Sequence, residues 1–163
     1  MRKEIVVTRD SLEKKALRML SRRDASRQEV AVALQRALAK SGDAPDEGGE
    51  WIEAILDECE ERGYLSDSRI ATNHFARLRG RGSSRRKTEA ALKKKGIAEE
   101  TVRALFEAEE EGAEAVAASR TVARRRFGQD REKRDKELAS LARAGFGYHD
   151  ARRALDEAAK EEE

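Results

Sequence analysis

Leu92-Lys-Lys-Lys-Gly96-Ile97 returns 49 residues later as Leu141-Ala-Arg-Ala-Gly145-Phe146. In both copies an apolar stripe at helical spacing ends at glycine, an apolar residue follows at once, and a new amphipathic stretch begins. A looser copy, Leu38-Ala-Lys-Ser-Gly42, lies nearer the N-terminus. Self-similarity at about this period points to stacked modules, each burying its apolar face partly against a neighbour. The spacing within each module is helical: Leu12, Ala16, Leu17 and Leu20, then Val30, Ala33, Leu34, Ala37 and Leu38, then Trp51, Ile52, Ile55, Leu56 and Cys59. The pattern starts again with Ile70, Ala71, His74, Phe75 and Leu78, and a third time from Ala113. It predicts nine short helices in three groups of three. The expected fold is all-α, an elongated, curved array of three tandem three-helix repeats. The expected boundaries are an N-terminal tail at 1–9, repeats at 10–66, 67–110 and 111–163, and a short acidic tail ending the last.

Local signals mark the helix ends. Ser26-Arg-Gln-Glu29 is a capping box, with the serine accepting from the backbone and the glutamate reaching back. Asp10 followed by Glu13 gives a start for the first helix, and Asp67 one for the fourth. Gly63 and Gly96 stand where helices end in the left-handed conformation. Ser41–Gly49 is rich in breakers and reads as a loop. Tyr64 and Leu65 are expected in the core at a repeat junction.

Composition narrows the function. Leu, Ile, Val and Phe number 29 of 163, about 18%, near the level at which chains of high net charge stay disordered. Here 35 basic residues oppose 33 acidic ones, and 27 alanines with a single proline make up the apolar deficit, so a thin helical core is expected. No apolar run is long enough to span a membrane. Cys59 is the only cysteine, which excludes an internal disulfide and a cysteine metal cluster. His74 and His149 are far apart, and Gly80-Arg-Gly82 lies between helices, where it supports no nucleotide-binding loop. Cys59 itself falls on an apolar stripe and reads as core. No catalytic set, metal site or cofactor is expected, and the chain reads as a cytoplasmic, monomeric binding protein.

Its charge is segregated. Residues 43–61 carry nine carboxylates and no Lys or Arg, while 99–114 carry seven against one Arg. Residues 79–95 carry eight cations (Arg79, Arg81, Arg85, Arg86, Lys87, Lys93, Lys94 and Lys95) against Glu89 alone, and Arg124, Arg125 and Arg126 dominate a second basic block. Solvated helix faces account for scattered charges, but like charges this dense repel unless an anionic partner meets them. These eleven residues are the candidate contacts. If all eight of 79–95 met phosphates, the salt slope of binding would approach about −7, an upper bound. Aromatic residues for base stacking are scarce there, so sequence-neutral contact with single- or double-stranded DNA, or with an acidic protein groove, fits better.

Four segments carry a resemblance. Ala16-Leu-Arg-Met-Leu-Ser-Arg-Arg-Asp-Ala-Ser-Arg-Gln-Glu-Val30, Gly63-Tyr-Leu-Ser-Asp-Ser-Arg-Ile-Ala71, Lys95-Gly-Ile97 and Ala144-Gly-Phe-Gly-Tyr-His-Asp-Ala-Arg-Arg-Ala-Leu155 resemble, in order and spacing, the bacterial RecX regulatory proteins. The resemblance covers roughly residues 12–158. Ser66 stands where the family has the first of two acids, Ile70 where it usually has an aromatic, and Thr88 where a branched aliphatic is usual. The resemblance implies binding to the RecA recombinase filament on single-stranded DNA, with inhibition of its ATPase, growth and strand exchange, and so a role in recombinational repair and the SOS response. A sequence-nonspecific DNA-binding protein acting without RecA is the alternative, and a helical adaptor for an unrelated partner a further one.

Overall fold

The structure is a computed structural model that describes residues 7–40, 45–128 and 130–160. Among them are nine α-helices and no strand: α1 Arg9–Leu20, α2 Arg27–Leu38, α3 Gly48–Glu61, α4 Asp67–Gly80, α5 Arg85–Lys94, α6 Glu99–Glu107, α7 Ala113–Arg125, α8 Arg134–Arg143 and α9 Tyr148–Lys160. A single 3-10 turn, Arg131–Lys133, leads into α8. Part of the loop expected at 41–49 lies outside the described residues, and α3 opens at Gly48. The described residues form two compact units. One runs to Ile70 and includes Lys95–Ile97; the other comprises Ala71–Lys94 and Ala98 onward.

The first unit buries the stripes of α1, α2 and α3 together. Leu12, Leu34, Ile52, Ile55 and Leu56 are almost wholly enclosed, with Ala16, Val30 and Cys59 between them. Burying each large aliphatic side chain contributes about 1.5–3 kcal/mol. Burial pushes the Cys59 thiol up, as suits a core residue. The first helix is capped two residues before Asp10: Thr8 and Ser11 form a reciprocal capping box, and Val7 before them is buried. The box at Ser26 and Glu29 forms as the sequence indicates. Tyr64 departs from expectation. Leu65 is buried, but the Tyr64 side chain turns outward and is half exposed.

Part of the acidic segment is answered inside this unit. Glu53, Asp57 and Glu60 stand at i, i+4 and i+7 on α3, one face of a helix. They hold the Arg27 guanidinium at 2.8, 2.8 and 3.0 Å. Burial alone would lower Arg27, but these carboxylates outweigh it and raise its pKa.

The second unit has two apolar centres. Ala117, Ala118, Val122, Leu141, Phe146, Ala151, Ala154 and Leu155 join α7, α8 and α9, where alanine lets the helices approach closely. Phe75 of α4 meets Phe106 of α6 edge to face, with centroids 4.9 Å apart at 76°. Thr88 of α5 is fully buried, and its hydroxyl has no hydrogen-bond partner among the described residues.

One joint occurs twice. Ser26, at the N-terminus of α2, donates its hydroxyl to the Lys95 carbonyl, and Ser84, at the N-terminus of α5, donates to the Ala144 carbonyl at 2.6 Å. Each acceptor precedes a glycine in the left-handed region, Gly96 at φ 77° and Gly145 at φ 94°. A Cβ on Gly96 would collide with the Gln28 side chain, and one on Gly145 would sit 2.6 Å from Ser84 Oγ. Beside each serine, the next backbone N–H is taken by a distant carboxylate. Asp67 accepts from Arg27 N at 2.8 Å, and Glu114 accepts from Arg85 N at 3.0 Å. Asp67 thus caps α2. Its own helix is capped by Ser66, whose Oγ accepts from Arg69 N at 3.3 Å. The glycines of the sequence repeat are therefore docking points as well as helix ends.

Candidate nucleic-acid interface

Three helices of the second unit bring cations to one cleft. Arg86 and Lys87 project from the first turn of α5, Arg125 from the last residue of α7, and Arg143 from the last residue of α8. Ala90, Ser140, Ala142, Ala144 and Gly145 complete the walls of a depression of about 780 Å³. All four cations are solvent-exposed, no carboxylate lines the cleft, and none of the four has an ion-pair partner among the described residues. Arg125 is held in place: its Nη1 donates to Ser140 Oγ at 2.9 Å, and its guanidinium lies 5.7 Å from the Phe127 ring centroid. Arginine offers a planar fork that matches two oxygens of a phosphate or carboxylate. Four cations around a floor of small residues, Ser140 among alanines, suit a phosphodiester backbone or clustered carboxylates.

The eleven residues singled out in the sequence are not one surface. Arg86, Lys87 and Arg125 line the cleft. Arg79, expected to face a partner, is instead buried. Its guanidinium donates to Glu109 at 2.6 Å, to Glu114 at 2.8 Å and to the Ser83 carbonyl at 2.7 Å. Desolvation alone would lower its pKa, but the two carboxylates outweigh that and raise it. Its neighbours in sequence hid this, because the two acids that claim it lie 30 and 35 residues away. Arg85 is exposed but directed: its guanidinium lies 4.6 Å from the Phe106 ring centroid and 3.4 Å from Glu89. Lys95 reaches both oxygens of Glu29 at 3.3 Å in the first unit. Lys93 lies 4.0 Å from Glu99. Arg81, Lys94, Arg124 and Arg126 are exposed and outside the cleft, with Arg126 closing α7 at φ 55°.

Arg143 and Ser140 were missed. The signal was present, since the 49-residue repeat sets Arg143 opposite Lys94, but a lone arginine among alanines does not register as a block. His74 is half-buried and accepts from Arg77 Nη2 at 2.7 Å. Among the described residues no three His, Cys, Asp or Glu side chains are grouped as metal ligands, and no helix is long and apolar enough to cross a membrane.

Known proteins share both sequence and fold with this chain. A protein of Chromohalobacter salexigens described as regulatory protein RecX is 33% identical over 143 residues, which is 86% of this chain and 88% of that protein. One of Myxococcus xanthus with the same description is 31% identical over 157 residues, 89% and 84% of the two chains. The crystal structure of RecX from Lactobacillus salivarius superposes with a TM-score of 0.71 over 92% of this chain and 96% of that one, at 19% identity. No family model matches the chain.

Proposed function

The chain belongs to the RecX family of regulatory proteins, a class of regulators and not of enzymes, and from that premise we propose that it binds the RecA filament on single-stranded DNA and inhibits its ATPase, growth and strand exchange. The observation that carries the proposal beyond family membership is the cleft of Arg86, Lys87, Arg125 and Arg143. A nucleoprotein filament combines DNA phosphates with protein side chains, and cations that have no ion-pair partner among the described residues gain from phosphates or carboxylates alike. Contact with more than one filament component at once would oppose the subunit movements of the ATP cycle. Such inhibition restrains recombinational repair and the SOS response. The protein acts by occupancy and catalyses no step.

Titration into RecA hydrolysing ATP on single-stranded DNA tests this directly. The rate is expected to fall as the protein approaches stoichiometry with RecA. An unchanged rate refutes inhibition, and a raised rate would make the protein an activator. Retention on naked DNA with no effect on RecA would instead favour a sequence-neutral DNA-binding protein, a reading that the same cleft also suits.

A further inference from the structure

A second cationic surface lies on α1 and α2, and its chemistry differs from that of the cleft. Lys15 and Arg18 on α1, Arg22 just beyond it, Arg36 in the last turn of α2 and Lys40 just after it border two adjoining grooves of about 440 and 410 Å³. The grooves share Lys15 and Ala33. These five cations are exposed and have no ion-pair partner among the described residues, whereas Arg23, which also borders the second groove, pairs with Glu29 at 3.2 Å. Neither groove is lined by a carboxylate. The floor here is apolar, formed by the partly exposed Ala33 and Ala37, with Met19 in the adjoining part, above the buried Val7 and Leu12.

The two halves of that description ask for different things from one occupant. The rim requires anions, because five like charges this close repel one another. The floor requires apolar side chains, since apolar surface left in water forgoes about 25 cal/mol per Å². A nucleic-acid strand would satisfy the rim and leave the floor unused, and no aromatic ring lines either groove to stack a base. An amphipathic helix with leucine-like residues on one face and carboxylates flanking them satisfies both at once. We propose that the α1–α2 groove docks an acidic amphipathic helix of a partner protein. The proposal does not rest on RecA being that partner.

Fluorescence anisotropy with the full chain tests it. The probe is a labelled synthetic helix with leucines at i, i+3, i+4 and i+7 and glutamates between them. A second peptide has the same composition scrambled to destroy the apolar face. Saturable binding is expected for the first, and binding weaker by about tenfold or more for the second. Lys15→Glu with Arg36→Glu changes two exposed residues and is expected to weaken the helix by about tenfold or more. Arg86→Glu with Arg143→Glu is expected to leave it unchanged. No binding, equal binding of the scrambled peptide, indifference to the Lys15 and Arg36 reversals, or weakening by the Arg86 and Arg143 reversals would each overturn the proposal. So would displacement of the probe by oligothymidylate at lower concentration than by unlabelled peptide, which would make the groove a nucleic-acid site. Failure of these tests leaves the RecA reading intact, because that rests on the ATPase assay.

Discussion

At Thr88, a hydroxyl sits fully buried with no partner among the described residues, and an unsatisfied buried polar group costs about 1–3 kcal/mol. Valine has nearly the same shape without that group. Thr88→Val is expected to stabilise the protein by about 1 kcal/mol, raising the thermal midpoint by roughly 2–4 °C; a lowered midpoint would show that the hydroxyl is satisfied. Arg79 lies at the other extreme. Its side chain is 9% exposed, and Glu109 and Glu114 would lose their shared partner. Removing one member of a buried ion pair costs about 3–5 kcal/mol, and the partial exposure of the two acids lowers this to about 2–3 for Arg79→Met. Denaturant unfolding measures it, and a loss below about 0.5 kcal/mol would place Arg79 among ordinary surface arginines. Glu29 gives a pH signature. Burial alone would raise its carboxyl, but the Ser26 N–H, Lys95 and Arg23 outweigh that and hold it below its ordinary value. A depressed acid stabilises the fold above its unfolded pKa of about 4.3, and that contribution disappears as pH falls through the folded value. Glutamine keeps the capping bond and loses the charge. Glu29→Gln should therefore cost about 0.5–1 kcal/mol near neutrality, a gap that closes as acid is added. A gap that persisted at pH 3 would contradict this.

Among the elements, the paired joints of Ser26 and Ser84 set how repeat sequence becomes structure. Gly145→Ala meets both a left-handed backbone and Ser84 Oγ, whereas Gly63, at φ 73°, has no atom within 4 Å of the added Cβ. Alanine is expected to cost about 1 kcal/mol at Gly63 from backbone conformation alone. A loss larger by about 1–2 kcal/mol is expected at Gly145. Equal losses at the two sites would show that the Ser84 contact carries nothing. These elements explain how much could be read in advance. Stripes such as Leu12, Ala16 and Val30, Leu34 record a local period of 3.6, so the helices and their order were legible, as was the box at Ser26. The joints were not, because Ser26 to Lys95 and Ser84 to Ala144 are long-range bonds whose partners are backbone carbonyls, which leave no mark in the residue pattern. Asp67 was mistaken for the cap of its own helix for the same reason. The cleft was half legible: Arg86 and Lys87 stood out by density, Arg125 within a run, and Arg143 only through the repeat. Density also misled, since Arg79 and Lys95 belong to blocks of cations yet spend their charge on Glu109, Glu114 and Glu29.

For the whole molecule, a net charge of +2 conceals cations gathered on the cleft and on the α1–α2 groove, most of them without an ion-pair partner among the described residues. The cleft bounds what DNA contact can yield. Four phosphate contacts on a single strand give a salt slope of about −3, half of the roughly −6 that eight contacts on the same strand would give. The most direct measurement is RecA ATPase on single-stranded DNA, titrated in parallel with wild-type protein and with Arg86→Glu, Arg143→Glu protein whose helical circular dichroism is unchanged. The wild type should suppress hydrolysis near stoichiometry, and the variant should need about tenfold more. Equal suppression by both would show that regulation does not pass through the cleft.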